Sequence, residues 1–164
     1  MNINELPYVL RLLWKIFPAY VANASPLIFV KKGHPIDLNK NFIDKKPILG
    51  KGKTIEGFMV GTIIGTITGL IQGQGSMALT LSIGAMLGDL SGSFIKRRLN
   101  ISRGSPAPII DQSMFLLGAV LLTNLFFTEI FDLTDLFVLI LITIPIHFIT
   151  NVVAYLLKIK NVPW

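Results

Sequence analysis

The sequence predicts an all-α integral membrane protein in which five transmembrane helices surround a polar, basic cytoplasmic cleft. Of the 164 residues, 52% are hydrophobic and only 15% are charged, whereas about a quarter of the residues of a soluble domain are charged. Five apolar segments are long enough to cross a hydrocarbon core of roughly 30 Å, and the cations concentrate in alternate loops. This length predicts a single polytopic membrane domain over residues 1–164. Because cysteine is absent, a disulfide framework and a thiolate metal site are excluded.

The five predicted spans follow one another along the chain with short polar connections. The first covers about residues 6–30 and is interrupted by Arg11, Lys15 and Pro18. It lacks a basic leader and a small-residue cleavage site, so we expect a retained span rather than a signal peptide. The other four spans cover about residues 57–71, 77–95, 114–130 and 136–157.

The distribution of lysine and arginine predicts the orientation of these spans. The loops over about 31–56 and 96–113 carry most of the cations, and Lys158 and Lys160 lie near the C-terminus. The remaining loops, 72–76 and 129–135, carry none. Under the positive-inside rule this pattern predicts a multi-pass protein of the cell membrane with its N-terminus outside and its C-terminus in the cytoplasm. A basic surface that binds anionic lipid is the alternative interpretation.

Glycines recur at every fourth position in the second and third spans. Such stripes lie on one helix face and allow another backbone to approach closely. We therefore expect both helices to pack tightly within the bundle, with lipid-facing glycine as the alternative. The stripes are Gly57, Gly61, Gly65, Gly69 and Gly73 in the second span, and Gly84, Gly88 and Gly92 in the third.

The stretch "GDLSGSFIKRRL" (88–99) places a carboxylate inside the third span. On a helix, Asp89, Ser93, Lys96 and Arg97 project from one face. A carboxylate suits a divalent metal and the cations suit phosphate oxygens, so the face fits a metal-bound, phosphate-rich ligand. Two alternatives remain open: Asp89 pairs with Arg97 or Arg98 to fix the helix, or the cations are ordinary membrane anchors.

Two loop stretches add candidate residues beside this face. "ISRGSPAPIIDQ" (101–112) brings Asp111 to the start of the fourth span, where it either completes a metal site with Asp89 or caps the helix. "ILGKGKTIEGF" (48–58) places Lys51 and Lys53 before a helix, in the manner of a phosphate cradle. This stretch is not a P-loop, because the glycine spacing differs and no strand precedes it.

A third stretch, "NASP" (23–26), lies late in the first span. Asn23 and Ser25 are either ligands or helix-packing residues, and Pro26 predicts a kink. His34 and His147 are the only histidines and lie far apart in the sequence, so no histidine metal site is expected.

Taken together and in this order, "NASP", "KGHPID", "ILGKGKTIEGF", "GDLSGSFIKRRL" and "RGSPAPIIDQ" resemble the CTP-dependent phosphatidate cytidylyltransferase superfamily. The short chain is most similar to its archaeal branch, the CDP-archaeol synthases. The stretches span residues 23–112. One position departs from the family pattern, because an acid usually lies three residues after Asp111, where this chain has Met114.

The resemblance implies transfer of CMP from CTP to unsaturated archaetidic acid (digeranylgeranylglyceryl phosphate), which yields CDP-archaeol and pyrophosphate and requires Mg²⁺. It implies that Asp89 and Asp111 hold the metal and that Lys96 is a further catalytic residue. The partners would be CTP, an isoprenoid glyceryl-phosphate lipid and the membrane, with no nucleic acid. The implied ligand contacts come from Lys51, Lys53, Thr54, Ser93, Lys96, Arg97, Asn23 and Ser25.

Other functions compete with this one. An ion-coupled transporter would use Asp89 as its cation or proton site, but would leave "GKGKT" without a role. A phosphatidate cytidylyltransferase acting on diacyl lipid would share every motif. A structural subunit would not need the polar loops, and the DGxxAR pattern of CDP-alcohol phosphotransferases is absent from the sequence.

Overall fold

The computed structural model describes residues 6–128 and 130–159 and contains five α-helices over these ranges. Glu129 and Lys160, both used in the orientation argument, lie outside the described residues. Within them there are two isolated β-bridges, in the loop between the first two helices, and no strand. The helices are α1 (Tyr8–Phe29), α2 (Ile55–Ile71), α3 (Met77–Arg98), α4 (Pro108–Phe126) and α5 (Leu133–Leu156). The prediction of an all-α fold with five helices is thus confirmed.

Four of the helices are long and apolar enough to cross a membrane, and α2 is shorter. With 17 residues, α2 extends about 26 Å at 1.5 Å per residue, close to the thickness of the hydrocarbon core. Three helices begin before their predicted starts: α2 begins two residues early, at Ile55, and α4 and α5 begin early because polar residues lie at their N-terminal ends. In α4 these are Asp111 and Gln112. In α5, Asp132 and Asp135 form a capping box.

Helix α1 continues through Pro18 and Pro26, although each proline removes one intrahelical hydrogen-bond donor. The carbonyls freed four residues earlier belong to Trp14 and Ala22. Side chains supply the missing donors. Trp14 O accepts from the amides of Gln72 and Gln74 at 3.2 and 3.1 Å, and Ala22 O accepts from Ser25 Oγ at 3.3 Å.

The glycine stripes pack against helices, as predicted, but the two stripes have different partners. In α2, a Cβ at Gly61, Gly65 or Gly69 would collide with atoms of α1 or α3. In α3, a Cβ at Gly84 or Gly88 would collide with the backbone of α4. Gly73 lies in the turn after α2 with a φ of +77°, and a Cβ built there would meet no atom within 4 Å, so the residue serves the turn and not the packing.

The core lies between α1, α3 and α4, with α2 against α1 and α3, and α5 against α4. Phe115, Ile16, Leu81 and Leu116 are among its fully buried side chains. Helix α5 buries only Leu139 and Thr143. The wide apolar surface that α5 leaves exposed suits contact with lipid.

Candidate active site

A polar cavity of about 160 Å³ lies where the end of α3 meets the start of α4. The loop before α2 covers one side, and the loop between α3 and α4 covers another. Its wall combines apolar residues and glycines with charged or polar side chains. The apolar residues and glycines are Leu49, Gly50, Gly52, Gly92, Gly104, Ile110, Met114 and Phe115. The charged or polar side chains are Lys53, Asp89, Ser93, Lys96, Arg97, Arg103 and Asp111. We call this cavity the cleft.

Asp89 is paired with a lysine that the loop before α2 brings to it. Lys53 Nζ lies 2.5 Å from Asp89 Oδ2, and both side chains retain more than a quarter of their exposure. The interpretation in which Asp89 pairs with Arg97 or Arg98 is therefore wrong. This ion pair joins the loop before α2 to α3. It also meets a physical requirement, because a carboxylate near the membrane interior needs a cation or a metal beside it.

Asp111 forms the second acid–lysine pair of the cleft. Lys96 Nζ donates to both carboxylate oxygens, at 2.8 and 3.0 Å, and also to Ser105 O at 3.1 Å. The carboxylate additionally accepts the backbone N–H of Ala107 at 3.1 Å. Asp111 therefore lies in the first turn of α4, satisfies the backbone N–H of the N-cap residue Ala107 and also faces the cleft.

Two arginines in the cleft wall have no such partner. Among the described residues, neither Arg97 nor Arg103 forms an ion pair, and Arg97 Nε is buried without a hydrogen-bond acceptor. A Cβ at Gly52 would lie 3.2 Å from Arg103 Nε, so the glycine lets that arginine lie close to the loop backbone. Unpaired guanidinium groups in a polar cavity are suited to phosphate oxygens.

The loop that carries Lys53 is fixed by Asp37, which is 7% exposed. Its carboxylate accepts the backbone N–H groups of Asn39, Leu49 and Gly50 at 3.0, 2.9 and 2.8 Å. Burial raises the pKa of Asp37, but these hydrogen bonds outweigh burial and hold the pKa below its ordinary value. Ser93 Oγ donates to Leu49 O at 2.9 Å and ties the same loop to α3.

Six of the predicted site residues line the cleft and four do not. Asp89, Ser93, Lys96 and Arg97 all face it from α3, as the helical spacing predicts, and Lys53 and Asp111 join them. Outside its wall lie Lys51, Thr54, Asn23 and Ser25.

Two of these four residues have local structural roles. Thr54 caps α2, accepting Gly57 N at 3.1 Å, and Ser25 bonds to Ala22 O within α1.

Arg103 and Met114 line the cleft without having been predicted there. Arg103 lies in an irregular loop, where no periodicity indicates which way a side chain points. Its position in the "RGSP" stretch was the sequence feature that could have indicated a place in the cleft. Met114 packs against the open side of Gly92, with Cβ and Cγ both 3.1 Å from a Cβ built there. An apolar thioether thus occupies the position at which the resemblance implies a second acid.

The donor set of the cleft fits Mg²⁺. That ion prefers oxygen ligands and is usually held by one or two carboxylates, with water and substrate phosphates completing its octahedron. Asp89 and Asp111 supply two carboxylates in one cavity. Over the described residues no group of three or more histidine, cysteine or acidic side chains could hold a metal, so any ion here would rely on the substrate for further ligands.

Comparison with known proteins places the chain in a family. The model of the CarS-like family, described as CDP-archaeol synthase, matches residues 5–164. The CDP-archaeol synthase of Methanopyrus kandleri is 43% identical, covering 93% of this chain and 91% of the relative. That of Methanocaldococcus jannaschii is also 43% identical, covering 93% and 95%.

A solved structure shares the fold as well. It is an intramembrane enzyme of archaeal membrane lipid biosynthesis, with a TM-score of 0.79 and 32% identity. The similarity covers 88% of this chain and 94% of that one. The protein is therefore a multi-pass membrane enzyme, and it belongs to the CarS-like family of CDP-archaeol synthases.

Proposed function

We propose that the protein transfers CMP from CTP to unsaturated archaetidic acid, releasing pyrophosphate and leaving CDP-archaeol in the membrane. The observation that carries this proposal is the cleft, in which two carboxylates and four cations converge at one end of a membrane bundle. Membership of the CDP-archaeol synthase family supports the same reaction.

The chemistry requires no nucleophilic side chain. An oxygen of the lipid phosphate is already anionic at neutral pH; it attacks the α-phosphorus of CTP, and the bond between the α-phosphorus and the bridging oxygen breaks. The obstacle is repulsion between the anionic lipid and the triphosphate. Arg97 and Arg103 lower that repulsion because their guanidinium groups are not engaged by a carboxylate.

Asp89 and Asp111 would hold Mg²⁺, which when bound supplies further neutralisation of the triphosphate and of the leaving pyrophosphate. In the structure, these carboxylates are paired with the ammonium groups of Lys53 and Lys96. Where the acids held the ion, the two ammonium groups would be available to bind phosphate oxygens of CTP.

We also propose that the cleft opens to the cytoplasm, where CTP is found, with the N-terminus on the other side of the membrane. The cation-rich loops before α2 and after α3 support this orientation. The lipid chains remain in the bilayer while the phosphate reaches the cleft.

The test is an assay with purified protein, Mg²⁺ and labelled CTP. Asp89→Asn and Asp111→Asn are each expected to lower the formation of labelled lipid by at least about a thousandfold. Asp44→Asn is the matched control, because Asp44 is paired with Arg98 outside the cleft. Full turnover by either cleft variant would remove that residue from the proposed metal site.

The same assay distinguishes the lipid class and the competing function. Isoprenoid-ether and diacyl glyceryl phosphates are offered separately, and we expect the ether lipid to be preferred. Labelled product from neither lipid contradicts the enzymatic proposal. Proton flux in liposomes that depends on Asp89, without CTP turnover, would instead favour the transporter.

A further inference from the structure

A second cavity, of about 570 Å³, lies at the end of the bundle opposite the cleft. It is bounded by the starts of α1, α3 and α5 and by the turn between α2 and α3. CMP transfer makes no use of it. Arg11 and Lys15, the two cations that interrupt the first apolar span, both line it. We call it the distal cavity.

Cations inside a membrane span are costly unless they are paired or reach a polar group. Lys15 is partly satisfied: its Nζ donates to Ile130 O at 2.8 Å and lies 4.9 Å from the centre of the Phe131 ring. An ammonium group has three donors, so two remain for another partner. Ile130 O and the Phe131 ring thus keep the ammonium group of Lys15 at the wall of the distal cavity.

Arg11 has no such partner. Over residues 6–128 and 130–159 it forms no ion pair and donates no hydrogen bond to a side chain. It lies one helical turn before Lys15, so the two side chains share a face of α1.

The acid of the distal cavity is already engaged. One oxygen of Asp135 accepts the hydroxyl of Tyr8 at 2.6 Å, and the other accepts Asp132 N at 3.3 Å in the capping box of α5. The described wall of the cavity thus holds two cations, Arg11 and Lys15, against one carboxylate, whose oxygens already accept hydrogen bonds, so its charge is net positive.

The surroundings of Arg11 are those of a lipid-facing surface. Val9, Leu10, Trp14 and Phe17 on the same helix are all exposed, and Trp14 also lines the cavity. Tryptophan is enriched at the membrane interface. A ligand with its phosphate in the cavity would thus have its chains along α1.

From this arrangement we propose that the distal cavity binds the phosphate of an anionic phospholipid from the leaflet opposite the cleft. Arg11 is the principal phosphate ligand and Lys15 a second one, because a guanidinium fork matches two phosphate oxygens. The bound lipid acts as a structural ligand that joins α1 to the α2–α3 turn and to α5. It is not a substrate, because the cavity holds none of the cleft residues.

Trp14 provides a local reporter, since the chain has only two tryptophans and the other is Trp164. In a Trp164→Phe background in nonionic detergent, dioctanoyl phosphatidylglycerol is expected to change the emission of Trp14 saturably. Binding of the same lipid in the cleft would not reach this reporter. Arg11→Gln should weaken the apparent affinity by about tenfold or more, the loss expected for a charge-assisted hydrogen bond.

Two variants and two ligands serve as controls. Arg11→Lys keeps the charge but loses the guanidinium fork, so its affinity should lie between those of the parent and Arg11→Gln. Lys32→Gln removes an exposed cation near the other end of α1 and should leave the affinity unchanged. Dioctanoyl phosphatidylcholine and glycerol phosphate should each require at least about tenfold higher concentrations.

Each other outcome overturns the proposal. Equal response to phosphatidylcholine means an unselective lipid annulus, and equal response to glycerol phosphate means a soluble-phosphate site. An Arg11→Gln variant that binds like the parent, or an Arg11→Lys variant as weak as Arg11→Gln, removes Arg11 as the ligand.

Discussion

Arg97 and Arg98, which are neighbours at the end of α3, have different roles. Arg97 faces the cleft and forms no ion pair among the described residues. Arg98 instead lies 2.7 Å from Asp44, donates to Pro47 O at 2.5 Å and stacks over the rings of Phe42 and Phe94. Arg97 is therefore available to bind an anionic ligand, whereas Arg98 stabilises the loop before α2.

We expect Arg97→Gln to raise the KM for CTP by about tenfold or more while the thermal stability stays unchanged, because a ligand contact is lost and no protein contact. Arg98→Gln should do the opposite: it lowers thermal stability and changes the KM much less. Steady-state kinetics and melting curves in detergent measure both. Equal effects of the two variants on the KM would contradict the distinction.

The carboxylate of Asp37 makes the loop before α2 sensitive to acid. Because the pKa is lowered in the folded protein, the charged form contributes stability above the ordinary pKa of about 4. That contribution is lost as the pH falls through the lower pKa of the folded state. We expect hydrogen exchange at the amides of Leu49 and Gly50 to accelerate below about pH 4, after correction for the intrinsic rate.

Asp37→Asn should show this faster exchange already at neutral pH, since the neutral amide accepts through one oxygen and has lost the charge. Lys40→Gln, at an exposed position of the same loop, is the control. Unchanged exchange at Leu49 in the Asp37 variant would show that other contacts hold the loop.

The sequence predicts the residues of α3 well but not their resting partners. Helical spacing places Asp89, Ser93, Lys96 and Arg97 on one face, and all four line the cleft. The spacing does not predict that Lys53 and Lys96 rest on the two carboxylates, because those contacts join elements distant in sequence. Ser25 was predictable from local chemistry, since Pro26 frees the carbonyl that it satisfies.

At the scale of the helices, the crossing of α3 and α4 fixes the geometry of the cleft. Gly84, Gly88 and Gly118 bring the two backbones into direct contact, and the two acids follow on the cleft side of this crossing. Small residues at a membrane helix interface let the two backbones approach closely, so that van der Waals contacts between them stabilise the crossing. The glycine stripe of α3 indicated tight packing, but periodicity alone does not say which helix is the partner.

Gly88→Ala should weaken this crossing more than Gly92→Ala. A Cβ at residue 88 collides with the carbonyl of Met114, which is backbone and cannot turn away, whereas at residue 92 it approaches the Met114 side chain at 3.1 Å. We expect a loss of about 1–3 kcal/mol for Gly88→Ala and a smaller one for Gly92→Ala. Thermal melting in detergent measures the loss of stability in both variants. A larger loss for Gly92→Ala would contradict the assignment of the tightest α3–α4 contact to Gly88.

At the scale of the whole molecule, the bundle has two chemically different ends. The cleft end carries the lysine-rich loop before α2 and the cation-rich end of α3, and the distal end carries the short turn after α2. In the proposed topology, in which all five helices cross the membrane, the start of α1 and the end of α5 lie on opposite sides. The number of helices could be predicted from hydropathy, but the depth of the cleft could not, because it depends on where two loops fold over the ends of α3 and α4.

The absence of cysteine from the chain makes the orientation directly measurable, because any introduced cysteine is its only thiol. Ile43 is 91% exposed in the loop at the cleft end. Ser76 is exposed in the turn at the distal end and makes no side-chain capping hydrogen bond, so its replacement by cysteine loses none. Ile43→Cys and Ser76→Cys thus report on opposite sides of the membrane.

In sealed right-side-out vesicles, a membrane-impermeant maleimide should label Ser76→Cys and leave Ile43→Cys unlabelled until the vesicles are opened. Inverted vesicles should give the reverse. The expectation follows from the positive-inside rule, which places the seven lysines of the loop before α2 in the cytoplasm. If Ile43→Cys were labelled first in right-side-out vesicles, the cleft would face away from CTP, and the proposed reaction would need a nucleotide supply on the outer side of the membrane.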